Sequence, residues 1–153
     1  MPPFYFCAVL YNRGMAYLTI QDIREELQDR TPGDNTIDCD LAFSDDEIRH
    51  AMKRAAAAYN SLPPLGIDRI SWNCLPADTT VFLEAVVSQL YKAQIHRLAR
   101  NQMQWQTGDT TVNFEATRMQ AYQQLQQQAE QAWKEAARDR KMAINRTIVW
   151  GSF

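Results

Sequence analysis

Apolar residues recur at three- and four-residue steps along most of this chain, and the rhythm breaks wherever glycine and proline gather. Ile20, Ile23 and Leu27 follow Thr19, with Asp22 three residues after that threonine, so a short capped helix is predicted there. Pro32-Gly33-Asp34-Asn35 closes it, and an acidic loop runs on to Phe43 with Ile37, Leu41 and Phe43 as apolar anchors. Ser44-Asp45-Asp46-Glu47 is a full capping box, the strongest local signal in the chain. Behind it Ile48, Ala51, Met52, Ala55, Ala56 and Tyr59 keep helical spacing, and the alanines at 55–58 favour helix and admit a close neighbour.

Pro63-Pro64 and Gly66 stop that helix, and an irregular connector to Pro76 carries Ile67, Ile70, Trp72 and Leu75, too many apolar groups to stand in water. Asp78 or Thr79 then caps a long helix through Val81, Phe82, Ala85, Val86, Leu90, Ala93, Ile95 and Leu98. It is apolar on more than half its circumference and is expected at the centre of the fold. Gly108-Asp109 interrupts the chain after Trp105, and Thr110-Thr111-Val112 predicts one brief strand or extended segment.

The last helix is predicted from Asn113 or Phe114 towards Ile144, about 30 residues or roughly 45 Å. Phe114, Ala121, Tyr122, Leu125, Ala129, Ala132, Trp133 and Ala136 mark its apolar face, while glutamines from Gln120 to Gln131 make the rest polar without charge. After it, Ile148-Val149-Trp150-Gly151-Ser152-Phe153 is an apolar terminus that must tuck onto its own domain or be held by another molecule. The expected fold is all-α: a helical bundle with two long helices, short N-terminal helices, an irregular connector and an extended C-terminal arm. Met15-Ala16-Tyr17 reads like a natural beginning, so 1–14 is expected to be an N-terminal extension, 15–146 the helical domain and 147–153 the arm.

Composition narrows the function. A chain of 153 residues, 46% hydrophobic and 22% charged, is one globular domain. Its formal charge of -2 argues against a freestanding nucleic-acid binder. From Asp22 to Glu47 ten acids face only Arg24 and Arg30, a local charge of -8, so the remainder carries +6 and the molecule is electrically two-ended. Cys7, Cys39 and Cys74 are odd in number and widely spaced, which predicts three unpaired thiols and a reducing compartment. No stretch approaches the roughly 20 apolar residues needed to cross a bilayer.

Chemistry is sparse. His50 and His96 lie on separate helices without an HExxH pattern, and Asp34, Asp38 and Asp40 lack the order of a calcium loop. Ser44 and Ser71 have no nucleophile-elbow glycines, and no glycine-rich loop is present to cradle phosphate. No catalytic, cofactor or metal residues are expected. Two basic stretches remain. Lys92, His96 and Arg100 form a stripe beside Arg97, for which a solvated face is the plain account; Arg138, Arg140, Lys141 and Arg146 near the end of the last helix are candidate phosphate contacts that also suit the helix dipole. Trp72, Trp105 and Trp133 read as core residues, and Trp150 as an intermolecular one.

The succession Tyr17-Leu18-Thr19-Ile20-Gln21-Asp22-Ile23-Arg24-Glu25-Glu26-Leu27, then Phe43-Ser44-Asp45-Asp46-Glu47-Ile48 with Ala51-Met52, then Tyr59-Asn60-Ser61-Leu62-Pro63-Pro64, resembles small virion proteins of tailed bacteriophages, the head-to-tail connector (adaptor or neck) proteins. The later run Arg97-Leu98-Ala99-Arg100-Asn101-Gln102, a turn, a second long helix, Lys141, Asn145 and terminal Gly151-Ser152-Phe153 agrees with it, so the likeness covers 15–153. The resemblance implies a homo-oligomeric ring, commonly of twelve subunits, beneath the portal protein at the neck of the virion. Its partners would be portal, tail or neck proteins and, non-specifically, packaged DNA, with assembly in the host cytoplasm and no membrane. It places the docking arm at Ile148, Val149, Trp150 and Phe153, the inter-subunit surfaces on the two long helices, and the 105–112 loop towards the tail. The competing reading is a small nucleic-acid-binding or DNA-packaging regulatory protein that uses the two basic stretches.

Overall fold

A computed structural model describes residues 16–29, 42–66, 68–77, 80–100, 105–107, 110–112 and 114–150, and among these the fold is all-α apart from one pair of three-residue strands. At 105–107, 110–112, 114–115 and 148–150 only the backbone is described. Helix α1 (Ile20–Glu26) begins where Thr19 Oγ1 accepts the Asp22 amide at 3.2 Å and the Asp22 carboxylate accepts the Thr19 amide at 2.7 Å. Helix α2 (Asp45–Ser61) starts on the same reciprocal pair between Ser44 and Glu47. In each case two amides that a helix start leaves without partners are satisfied by side chains.

The connector holds one 3-10 turn, Trp72–Cys74, and is pinned at both ends. Asn60 grips the Ile70 backbone with both ends of its amide, at 2.8 and 2.9 Å, and Leu18 N donates to Leu75 O at 2.8 Å. Helix α3 (Thr80–Arg100) packs against α1, α2 and the last helix, which makes it central as its hydrophobic breadth predicts. Strands β1 (Trp105–Thr107) and β2 (Thr110–Val112) pair antiparallel and turn the chain into α4 (Phe114–Trp150). Helix α4 returns antiparallel along α3, with Tyr122 beside Tyr91 and Arg140 beside Phe82. The core where these helices meet centres on Ile23, Ile48, Ala55, Tyr59, Leu75, Phe82, Val86, Trp133 and Ala137.

Several expectations need correction. As far as Trp150 the C-terminal arm is helical and not extended: helix continues through Ile148 and Val149, giving 37 residues or about 55 Å. Neither glycine nor proline occurs from 114 to 150, and β-branched or aromatic residues cost helix only some tenths of a kcal/mol each, so nothing stops it earlier. One strand was expected and two form, because the second supplies the first with its ladder partner. On α4, Ala129, Trp133 and Ala137 are buried, whereas Ala121, Leu125 and Ala132 are exposed, so the apolar row is narrower than its sequence implies. Cys74 is buried and disulfide-bonded, contrary to three free thiols. Odd count and wide spacing exclude a disulfide framework, but a single bridge needs only the Cα approach that folding sets. Residues 1–14, the acidic loop with Ile37, Leu41, Asp34, Asp38 and Asp40, the cap at Asp78 or Thr79, and Phe153 lie outside the described residues.

Candidate interaction surfaces

Two buried ionic hubs fix the surfaces. Arg24 faces inward from α1 and is only 6% exposed. Its guanidinium reaches Asp29 Oδ2 at 3.2 Å, Phe43 O at 2.9 Å and Asp45 Oδ1 at 2.7 Å. Asp29 in turn accepts the amides of Ala42 and Phe43 at 2.8 and 3.2 Å, so residues 29 and 42, the two ends of the acidic loop, are tied together. The hydrogen bond from Arg24 and its charge hold the Asp45 carboxyl below the usual range against a smaller opposing push from desolvation. A second hub lies under α4. Asp68 Oδ2 accepts from Tyr59 Oη at 2.5 Å and from Arg140 Nε at 2.9 Å, while Lys141 Nζ donates to Leu62 O at 2.7 Å and sits 4.8 Å from the Tyr59 ring centroid. Burial, then the Asp68 bond and charge, push the Tyr59 hydroxyl pKa far up.

Between α2 and α3 runs a groove of about 300 Å³ walled by Glu47, His50, Ala51 and Arg54 on one side and Gln89, Leu90 and Ala93 on the other. Small side chains at Ala51 and Ala93 keep it open. Glu47 is ion-paired with Arg97, so these two cancel; burial pushes its carboxyl pKa up, but the Ser44 hydrogen bonds and Arg97 together outweigh that and leave it lowered. His96 and Arg100 continue the Gln89–Ala93 row along α3, and both are exposed. The groove itself holds His50 and Arg54; His96 and Arg100 continue the α3 row beyond it, level with and past Glu47, and exposed Lys92 stands beside that row. Arg54 and Arg100 have no ion-pair partner among the described residues.

The opposite charge gathers on α1. Asp22, Glu25 and Glu26 share one exposed face at i, i+3 and i+4. Burial first and repulsion from Glu26 second raise the Glu84 carboxyl pKa. A second cleft, about 420 Å³, lies between α1 and the far half of the α3–α4 pair, lined by Leu27, Phe43, Tyr91, Tyr122 and Leu125 among others.

The four expected phosphate contacts are not one patch. Lys141 is wholly buried and Arg140 is committed to Asp68, while Arg138 and Arg146 are exposed. A cation that ends a core side chain cannot greet a phosphate in the folded state. Of the other stripe, Arg97 is taken by Glu47 and the Ala42 carbonyl, and His96 and Arg100 remain. What sequence reading missed is the contribution of His50 and Arg54: their i, i+4 spacing on α2 was visible, but the side-by-side placement of α2 and α3 was not. The docking-arm positions Ile148, Val149 and Trp150 lie on the final turns of α4. No helix among the described residues is long and apolar enough to cross a membrane, and no group of three metal-binding side chains occurs among them. No family model, no curated protein and no solved structure matches the chain.

Proposed function

We propose that this chain is a structural subunit of a tailed-bacteriophage neck, an adaptor repeated as a ring, commonly of twelve copies, between the portal of the head and the tail. The observation that carries the reading is the overrun of α4. Among the residues whose side chains are described, the last tertiary hydrogen bonds of the helix are at Arg140 and Lys141, and the helix continues to Trp150, nine residues or about 13 Å further. Among the described residues the only side-chain hydrogen bond beyond that point is internal, from Thr147 Oγ1 to Ala143 O at 3.0 Å. Met142, Ala143, Arg146 and Thr147 are exposed there. An isolated two-and-a-half-turn helix end has little stability of its own, and one that carries Ile148, Val149 and Trp150 gains it by docking. Portal or a neighbouring subunit is the partner the resemblance names.

Native mass measurement and sedimentation, of the protein alone and mixed with the portal of the same virion, test this. The expected result is a ring-sized species or a stable complex with portal. A persistent monomer that ignores portal and is missing from virions overturns it. The nucleic-acid reading retains the α2–α3 groove, with Arg54 in it and Arg100 beyond it on α3 as cations without an ion-pair partner among the described residues. It is tested by salt-dependent binding to a duplex, lost on Arg54→Ala with Arg100→Ala; alanine at 140 or 141 would mix lost binding with lost stability.

A further inference from the structure

The acidic and basic faces lie on opposite sides of α3. Tyr91 shares a cleft with Leu27 at the end of α1, and Glu84, two turns earlier, lies on the same side of α3. Gln89 and Ala93 mark the groove. At about 100° per residue, Ala93 points roughly 180° from Glu84, and Gln89 roughly 160° from Tyr91. A molecule with complementary charge on opposite faces meets a copy of itself head to tail, and such heterologous contacts repeat into rings or filaments.

We infer that the α1 face of one copy, Asp22, Glu25 and Glu26, seats in the α2–α3 groove of a second copy against His50 and Arg54, with His96 and Arg100 continuing the basic strip beyond the groove. The inference rests on the ring reading above and names its interface. Spacing supports it. Asp22 and Glu26 stand one helical turn apart, as do His50 and Arg54 in the groove, each pair about 5–6 Å between Cβ atoms, and His96 and Arg100 extend the same basic strip along α3. Neither Glu25 nor Glu26 has an ion-pair partner among the described residues, so both faces are left with charge to satisfy. The chain as a whole is acidic, and the unpaired cations of the groove and its continuation form a short strip. A continuous polyanion meets net repulsion beyond that strip, whereas a short helix with three carboxylates covers only the cations.

The test uses the full chain in sedimentation velocity and native mass spectrometry, alone and with portal present. Self-association should weaken roughly tenfold or more between about 0.05 and 0.5 M NaCl. Glu25→Lys with Glu26→Lys, and separately Arg54→Glu with Arg100→Glu, should each abolish it while leaving the circular dichroism spectrum unchanged, since all four side chains are exposed. Asp22 is left intact because it caps α1. Mixing the two variants, or combining all four substitutions in one chain, should restore assembly by presenting opposite charges again. If rings form and neither charge reversal affects them, this interface is wrong and the ring reading stands. If the unaltered protein stays monomeric at both salt concentrations with and without portal, both fall. If a 20-nucleotide single strand binds, and only that binding is lost on Arg54→Glu with Arg100→Glu, the groove belongs to nucleic acid and the inference is overturned.

Discussion

Lys141 shows how little of a residue's fate its own letter determines. Its ammonium is wholly buried with one carbonyl, Leu62 O, and the face of Tyr59 as company, and burial lowers its pKa more than the Asp68 charge raises it. A lowered amine pKa means the unfolded chain binds more protons, so stability rises with pH as it passes the folded pKa towards 10.5. Above 10 the raised Tyr59 opposes this, because the folded state then holds the extra proton. Lys141→Met should therefore leave stability at pH 7 unchanged within about 1 kcal/mol or increase it, and should flatten its rise from pH 7 to 10 in urea titrations. Lys141→Ala should cost about 2–4 kcal/mol by opening a cavity. Glu84 works the other way: its raised pKa removes stability as pH climbs through and above 4.5, so Glu84→Gln should be more stable at pH 7 and flatter between pH 4.5 and 7. None of this was legible in the sequence. Lys141 read as a candidate phosphate contact and Arg24 only as a counter-charge in an acidic run, because their partners, Leu62 O and Asp45, lie 79 and 21 residues away.

Elements were far more legible at their starts than at their ends. Both capping boxes are local chemistry, a hydroxyl and a carboxylate three residues apart, and α1 and α2 begin where those pairs put them. Ser44→Ala should cost about 1 kcal/mol by urea denaturation, the usual worth of such a cap. Helix ends depend on a breaker. Pro63-Pro64 supplied one for α2, which closes at Ser61, but α4 has none before Gly151 and so overran its expected end. The basic groove was half legible, as the 92–100 stripe of α3, because its other wall comes from α2 and only packing joins them. Since the last tertiary hydrogen bond of α4 among the described residues is that of Lys141, removing 147–153 should leave the thermal midpoint within a few degrees of the intact chain. A truncated protein that melts far lower, or fails to fold, would assign those residues to the core instead.

At the scale of the whole molecule, stability is concentrated in one band. Tyr59, Phe82, Val86, Trp133 and Ala137 are almost fully buried at the crossing of α2, α3 and α4, and Arg140 and Lys141 lock its lower edge. Helix α4, about 55 Å long, extends past this band at both ends, with Ala121 and Leu125 exposed on one side and Met142 and Arg146 on the other. Helical amides outside packed regions open locally at a small fraction of the global free energy. Hydrogen exchange on the dissociated chain at high salt should therefore show residues 129–141 exchanging slowest in α4, with 142–150 faster by orders of magnitude. On assembly at low salt, protection should rise at 142–150 if the helix end docks, and at 20–26 if the α1 face seats in a neighbour's groove. The two rises are separable: Glu25→Lys with Glu26→Lys should erase the second, whereas removal of 147–153 acts on the first. Uniform protection along α4 in the dissociated chain would mean that its ends are packed already, leaving no helix end free to hold a partner.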